Sequence, residues 1–289
     1  MSKSFLFYFI LTIHFYQAFA QPEDFENKIK FVTHLSDIGA FDEANLELSQ
    51  ISSSSLTPFQ LDTVHFLRGT IALYLKKDSI SDFHLSSISD SSTLYYPSRF
   101  FNAFHFAEIK KYQDSWRKFS EIEESTSSEI NQLRNFELAS VSVLNKDFIS
   151  FDSLSQTFNS RILELKNEQD NLRKYADISK RLRRKSAFKA GVLSAIIPGL
   201  GKVYSGNNAQ ALSSFISVAF FAGMTTENLV KNGWTHPQTI IFGSLFSIFY
   251  IGNIWGSAVS VQLIKMEKEL ENKNNILVGM RIPIQKFFR

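Results

Sequence analysis

The segment "SAIIPGLGKVYSG" at Ser194–Gly206 decides the architecture of this chain, because it places helix breakers inside an apolar run. The whole run, Ala187–Val203, falls short of the about 20 residues that a helix needs to cross the hydrocarbon core. Pro198 obstructs a helix and lacks an amide donor, whereas Gly199 and Gly201 allow backbone angles that are closed to other residues. Non-helical backbone persists at membrane depth only where protein buries it. We therefore expect a broken or re-entrant segment over 187–203.

Two longer apolar runs follow, and we expect one membrane helix over 208–230 and another over 239–264. Small residues recur in these runs at four-residue spacing, which allows helices to approach closely in lipid. Asn253 carries an amide that is costly at membrane depth unless it is hydrogen-bonded, so we expect it to contact the helix break. The serines of the second apolar run are further candidates to satisfy the backbone of the break. Tyr204 is expected at the membrane interface. The candidate membrane-motif residues are Pro198, Gly199, Gly201, Tyr204, Gly206, Gly252, Asn253, Gly256 and Ser257.

The N-terminus has the features of a secretory signal peptide. Lys3 precedes the apolar stretch "FLFYFILTIHFY", and "QAFA" supplies the small residues of a cleavage site after Ala20. Residues 1–20 are therefore predicted to be a signal peptide. An uncleaved anchor helix is the alternative, and both interpretations export the segment that follows. The chain contains no cysteine, which excludes disulfides, thiolate zinc sites and lipid attachment at a lipobox cysteine.

Charge divides the chain into two parts. Residues 21–179 contain 16 Lys and Arg against 24 Asp and Glu, whereas residues 180–289 contain 14 against 4. An acidic first part and a basic second part with long apolar runs indicate a soluble domain attached to a membrane domain. No nucleic-acid partner is expected, because the basic residues of a nucleic-acid-binding protein would not lie between apolar spans.

Four stretches in the acidic part repeat without gaps. They are "GAFDEANLELSQI" from Gly39, "KKDSISDFHLSSI" from Lys76, "KKYQDSWRKFSEI" from Lys110 and "NKDFISFDSLSQT" from Asn145. Their offsets of 37, 34 and 35 residues are close to the period of a helix–turn–helix solenoid. The sixth residue of each stretch is small, and the residue seven positions before each start is expected to pack closely, although Leu138 is bulky there. The predicted repeat-packing residues are Ala44, Gly69, Ser81, Ala103, Ser115 and Ser150.

This pattern resembles the tetratricopeptide repeat, whose second helix opens with an alanine followed four residues later by an aromatic residue. The resemblance covers about residues 23–158, and the first copy, "DIGAFDEANLEL", is the most similar. It implies stacked helix pairs that present a concave face to a peptide or protein. An irregular helical bundle is the alternative. The next segment is expected to be an amphipathic helix that ends in the basic run Lys180–Lys185, either beside anionic headgroups or as a solvated face.

The opening segment carries a second resemblance. "IPGLGKVYSG" resembles small domains with two transmembrane helices, in which the first helix carries a glycine-rich motif ending in Tyr-x-Gly. Together with "FYIGNIWGSA", it resembles uncharacterised bacterial membrane proteins that pair Pro-Gly-x-Gly-x-x-Tyr with a later Gly-Asn-x-x-Gly-Ser. This resemblance covers about Gly191–Ala258 and implies architecture alone, because that group has no established activity.

We predict an all-α protein in which a helical-repeat solenoid precedes a small transmembrane hairpin bundle. The expected parts are a signal peptide over 1–20, repeats over 21–158, a basic connecting helix over 159–186, a membrane domain over 187–264 and a polar, basic tail over 265–289. No catalytic, cofactor-binding or metal-binding residue is expected. The six histidines lack metal-ligand spacing, and GxSxG, HExxH and Walker motifs are absent from the sequence.

The expected function is that of a non-enzymatic scaffold or adaptor in a bacterial inner membrane, with its repeats in the periplasm. The expected partners are a protein that binds the repeats, membrane lipid, and further copies of the chain or a larger membrane complex. A component that transports a solute or handles lipid is the alternative, because broken apolar segments also build substrate sites in transporters.

Overall fold

The computed structural model describes residues 25–52, 56–159 and 162–288. These residues form helices and connections but no strand, so the expected all-α class is confirmed for the described part of the chain. The signal peptide predicted over 1–20 lies outside that part. The chain forms two compact units, one that ends at Glu123 and one over Glu124–Phe287.

Helices joined by short turns make up both units. In the described residues of the first unit they are α1 (Phe25–Asp37), α2 (Phe41–Ser49), α3 (Pro58–Tyr74), α4 (Asp78–Ser86), α5 (Tyr95–Glu108) and α6 (Tyr112–Ser120). In the second unit they are α7 (Ser128–Leu144), α8 (Phe148–Ser155), α9 (Leu163–Arg184), α10 (Ala187–Ile196), α11 (Leu200–Ser205), α12 (Asn208–Asn232) and α13 (Pro237–Phe287).

The first eight helices form four hairpins that share one turn. The residue that reverses the chain has a positive φ in each hairpin: Gly39 (80°), Lys76 (56°), Lys110 (67°) and Lys146 (61°). In every turn the amide of the following residue donates to the carbonyl five positions before it, at 2.8–2.9 Å. This Schellman arrangement satisfies helix-end carbonyls, and that gain offsets the strain of three lysines in a left-handed conformation.

The shared turn corrects the register of the fourth repeat by one residue. Its left-handed residue lies one position after the start that the sequence alignment gives. Phe151, which is 4 % exposed, therefore takes the packing position predicted for Ser150, whose half-buried hydroxyl instead donates to Asp147 Oδ2 at 2.6 Å. Ala139 is fully buried in the place that the alignment gave to Leu138. The shift removes the bulky exception at the position before the turn, but it places the bulky Phe151 at the sixth position, where the first three hairpins have a small residue.

The predicted packing residues of the first three hairpins lie at close helix contacts. Ala44, Ser81, Ala103 and Ser115 are fully buried, and Gly69 is buried as well. A Cβ atom at Gly69 would lie 2.5 Å from Leu85 Cγ, which explains the absence of a side chain there. In the third hairpin Ser115 Oγ donates to the carbonyl of Ala103 at 2.8 Å. Small side chains at these positions therefore allow the two helices of each hairpin to touch.

Arginines join consecutive hairpins within the first unit. Arg68 of α3 donates to the carbonyl of Leu48 at 2.8 Å, and Arg99 of α5 donates to the carbonyl of Leu85 at 3.0 Å. Leu48 and Leu85 hold equivalent places near the ends of α2 and α4, where carbonyls lack intrahelical partners. Each arginine thus caps the preceding hairpin, and the cation also lies favourably at the negative end of the helix dipole.

The segment expected to be a polar tail over 265–289 continues α13, which is a single helix of 51 residues. This end of α13 packs along α9. Asn272 Nδ2 donates to the carbonyl of Tyr175 and to Ser179 Oγ, both at 3.1 Å, and Met280 is fully buried. The segment 265–289 was expected to be a tail because of its polar composition, but its helical part has an amphipathic face that packs against α9.

We expect Ala44→Trp to lower the free energy of unfolding by about 1–3 kcal/mol or more, because a large ring would overpack a fully buried helix contact. The measurement is thermal unfolding of the full chain in detergent, followed by circular dichroism. Glu43→Trp is the matched control, since Glu43 is exposed on the same helix. Equal unfolding midpoints for Ala44→Trp and the control would contradict the assigned contact.

Candidate functional site at the helix break

The opening segment forms a short helical hairpin. The chain leaves α10 at Ile196 and turns at Gly199, whose φ is +86°, before α11 begins. α11 then runs back along α10. The amide of Gly201 donates to Ser194 Oγ at 2.9 Å, and a Cβ atom at Gly201 would collide with the carbonyl of Ala190. Both glycines are therefore required, one for its backbone angle and one for close approach.

Contacts at the two ends of this hairpin fix its orientation along α13. At its open end Lys185 Nζ donates to the carbonyl of Ser205 at 2.8 Å, and Lys265 Nζ donates to the carbonyl of Lys185 at 3.3 Å. Near its tip the Tyr250 hydroxyl donates to the carbonyl of Ala195 at 2.6 Å. The hairpin thus lies along the part of α13 between Tyr250 and Lys265. The chain enters and leaves it at the same basic end.

Asn253 supports the backbone of the turn from α13, as the sequence led us to expect. Its Oδ1 accepts a hydrogen bond from the amide of Gly199 at 2.9 Å, and its Nδ2 donates to the carbonyl of Ser194 at 3.1 Å. The side chain is 5 % exposed. One amide therefore satisfies a buried donor before α11 and a buried acceptor in α10, which the proline would otherwise leave unpaired.

Two buried serine pairs extend this network towards the basic end. Ser194 Oγ and Ser257 Oγ are 2.7 Å apart, and Ser205 Oγ and Ser260 Oγ are 3.0 Å apart. Serines of the second apolar run were expected to contact the break as well, but the serines that do so lie in the first and third runs. Ser194, Ser205 and Ser260 were missed, although a 3–4 residue spacing places Asn253, Ser257 and Ser260 on one helix face.

The remaining motif residues lie around this network. Pro198 is half-buried in the turn. Gly199, the next residue, lies so close to α12 that a Cβ atom on it would collide with the carbonyl of Ala211. The Tyr204 hydroxyl accepts a hydrogen bond from the amide of Ser186 at 3.1 Å. Gly206 ends α11 with a φ of +103°. The predicted motif therefore packs between α10, α11 and α13, except for Gly252 and Gly256, which close no helix contact.

The two helices that follow the hairpin are long and apolar enough to cross a membrane. α12 has 25 residues, and α13 has an apolar portion of comparable length before its polar end. Only 11 % of the residues in the apolar window of each helix are buried within the protein. Large side chains such as Phe220 and Ile251 are instead more than half exposed. This surface is typical of helices that contact lipid rather than of a soluble core.

The structure brings together two histidines that are 19 residues apart in the sequence. His65 Nδ1 and His84 Nδ1 are 3.0 Å apart, so one ring donates to the other. Burial and the charges of His65 and Arg68 lower the pKa of His84 to about 4, which favours a neutral pair. Within the described residues no group of three or more His, Asp or Glu side chains could hold a metal ion.

Comparison of the chain with protein-family models, with curated proteins and with solved structures found no match. The candidate site is therefore defined by its own geometry: a short helical hairpin, α10 and α11, that is bound by α13 next to α12. Polar side chains in this site satisfy backbone groups and one another, which is an arrangement that holds helices together in an apolar medium.

We expect Asn253→Leu to destabilise the second unit by about 1–3 kcal/mol, because the buried Gly199 amide would lose its acceptor. The measurement is thermal unfolding of the full chain in detergent. Ser247→Ala is the matched control on α13, since the Ser247 hydroxyl bonds only to the carbonyl of Gly243 in its own helix. An unchanged midpoint for Asn253→Leu would mean that the amide does not stabilise the turn.

Proposed function

We propose that this protein is a non-enzymatic scaffold of the bacterial inner membrane that presents tetratricopeptide-like repeats to a protein partner in the periplasm. The observation that carries the proposal is the fourfold repetition of one hairpin turn in a chain with two exposed apolar helices. Repeated hairpins bury a continuous core and leave one face available for a polypeptide. The apolar helices and the re-entrant hairpin serve as the membrane anchor.

A polar pocket of about 310 Å³ in the first unit supports this role. It is lined by Ser86, Tyr95, Arg99, Asn102, Lys118, Glu121 and Glu123. Asn102 is 3 % exposed, and its Nδ2 donates to Asp82 Oδ1 at 2.8 Å, but its Oδ1 has no hydrogen-bond partner in the described structure. A buried acceptor without a donor is costly. A backbone amide of a bound polypeptide would supply that donor once the Asn102 side chain turns towards the pocket.

We propose that the anchor crosses the membrane twice. The α10–α11 hairpin enters and leaves at the basic end marked by Lys185 and Lys265, so only α12 and α13 cross. α9 and the polar end of α13, which pack together, then lie on the same side of the membrane. The positive-inside rule favours the cytoplasm for this basic end, whereas the signal peptide directs it outwards. We assign the periplasm, because the first translocated segment usually dominates.

This topology is testable with single cysteines, because the natural chain has none. We expect Glu271→Cys, in the polar end of α13, to react with a membrane-impermeant maleimide in intact spheroplasts. Thr235→Cys, between α12 and α13, should react only after permeabilisation. Both positions are exposed. Reaction of both from one side would contradict two crossings, and the reverse pattern would place the repeats in the cytoplasm.

Site-specific photo-crosslinking tests the scaffold role itself. We expect a photoreactive amino acid at Glu121, which lines the pocket and is exposed, to form a discrete protein adduct in cells at native expression. The matched position is Glu43, which is exposed outside the pocket. Adding Asn102→Ala should reduce the Glu121 adduct roughly fivefold, as expected for one hydrogen bond. No adduct at Glu121, or equal adducts at both positions, would contradict the proposal.

A further inference from the structure

An open cavity of about 400 Å³ lies between α11, α12 and α13. We call it the Lys202 cavity, after the one charged side chain in its wall. Its polar lining comprises Lys202, Ser213, Ser214, Ser217 and Asn253. Asn253 already makes hydrogen bonds to the helix break. Among the described residues, the side chains of Lys202 and of the three serines make no hydrogen bond to the break or to its serine pairs. A polar cavity among exposed apolar side chains therefore needs a separate explanation.

The positive charge of Lys202 lacks a compensating carboxylate. Its Nζ donates to Ser214 Oγ at 2.6 Å, and no ion pair is formed by Lys202 in the part of the chain that the structure describes. Glu227 is the one acidic residue within 187–264, and it pairs with Lys231. Cations in an apolar medium are paired with an anion or bonded to polar groups. An anion from outside the chain would complete the site.

The shape and the donors of the cavity fit an oxyanion. An ammonium has three donors, of which Lys202 uses one, and the Ser213 and Ser214 hydroxyls supply two more. The opposite wall is open. A Cβ atom at Gly252 would meet nothing within 4 Å, and one at Gly256 would be 3.9 Å from Lys202 Nζ. Gly252 thus leaves space in the wall of the cavity, and Gly256 lies at ordinary contact distance from the ammonium.

We propose that the Lys202 cavity binds a phosphate group, with Lys202 as its counter-ion and the serine hydroxyls as further donors. Gly256 lies nine residues before Lys265, so the ammonium is about 13 Å from the basic end of α13. A phosphate of a membrane phospholipid and a free phosphate share this chemistry. The inference depends on the proposed membrane anchor, but it is independent of the proposed protein partner and of the photo-crosslinking result.

The test measures binding to the purified full chain in two arms. Native mass spectrometry counts phosphatidylglycerol retained from mixed micelles with phosphatidylcholine, and ³¹P NMR follows inorganic phosphate. We expect Lys202→Gln to weaken binding at least about tenfold, as expected for loss of a charge-assisted hydrogen bond. Lys202→Arg should retain binding, and Gly252→Leu should reduce it by filling the cavity. Lys189→Gln is the matched control, because Lys189 is exposed on α10 outside the cavity.

Thermal unfolding of each variant establishes that it is folded before binding is compared. Lys202-dependent retention of phosphatidylglycerol supports the site and assigns its ligand to lipid. Lys202-dependent binding of inorganic phosphate alone supports the site and assigns its ligand to solution. Absence of binding in both arms overturns the proposal. Equal losses for Lys202→Gln and Lys189→Gln also overturn it, because binding would then follow general surface charge.

Discussion

The hydrogen bonds that Asn253 makes to the helix break are the interaction on which the second unit depends. Pro198 interrupts a helix in apolar surroundings, where an unpaired amide or carbonyl is costly. Asn253 satisfies one amide and one carbonyl at the break, because its Oδ1 accepts a hydrogen bond from the amide of Gly199 and its Nδ2 donates to the carbonyl of Ser194. Both bonds come from one side chain of α13. They therefore fix the register of the hairpin against that helix as well as satisfying its turn.

The packing of the hairpin along α13 follows from this register. The turn of the hairpin lies beside Asn253. The helix that follows the turn, α11, is therefore short, and it ends at Ser205, whose carbonyl accepts a hydrogen bond from Lys185. α12 and α13 are then the two remaining long apolar helices, and their connection lies at the far end. α13 returns to the basic end and continues into its contact with α9, where Asn272 donates to the carbonyl of Tyr175. In the proposed two-crossing anchor, the basic end of the hairpin, α9 and the polar end of α13 would therefore lie on one side of the membrane.

The four hairpins of α1–α8 depend on a different constraint, which is the satisfaction of carbonyls at the end of a helix. One residue per hairpin adopts a positive φ so that the next amides can turn back to those carbonyls. Three of these residues are lysines, which are not usual in this conformation. The sequence alignment began the fourth copy at Asn145, a residue type that suits a left-handed turn, but Lys146 occupies it. Residue identity alone therefore misplaced that repeat by one position.

The sequence by itself determined the helical class of the described chain, the location of the break and the two long apolar helices. Those features depend on local chemistry, since a proline, nearby glycines and runs of apolar residues act over a few neighbours. Only the tertiary structure decided that Ser194, Ser205 and Ser260 join the network, that the polar tail packs as a helix on α9, and that Lys202 donates to Ser214 of α12. These contacts join residues far apart in sequence, and helix register and packing select them.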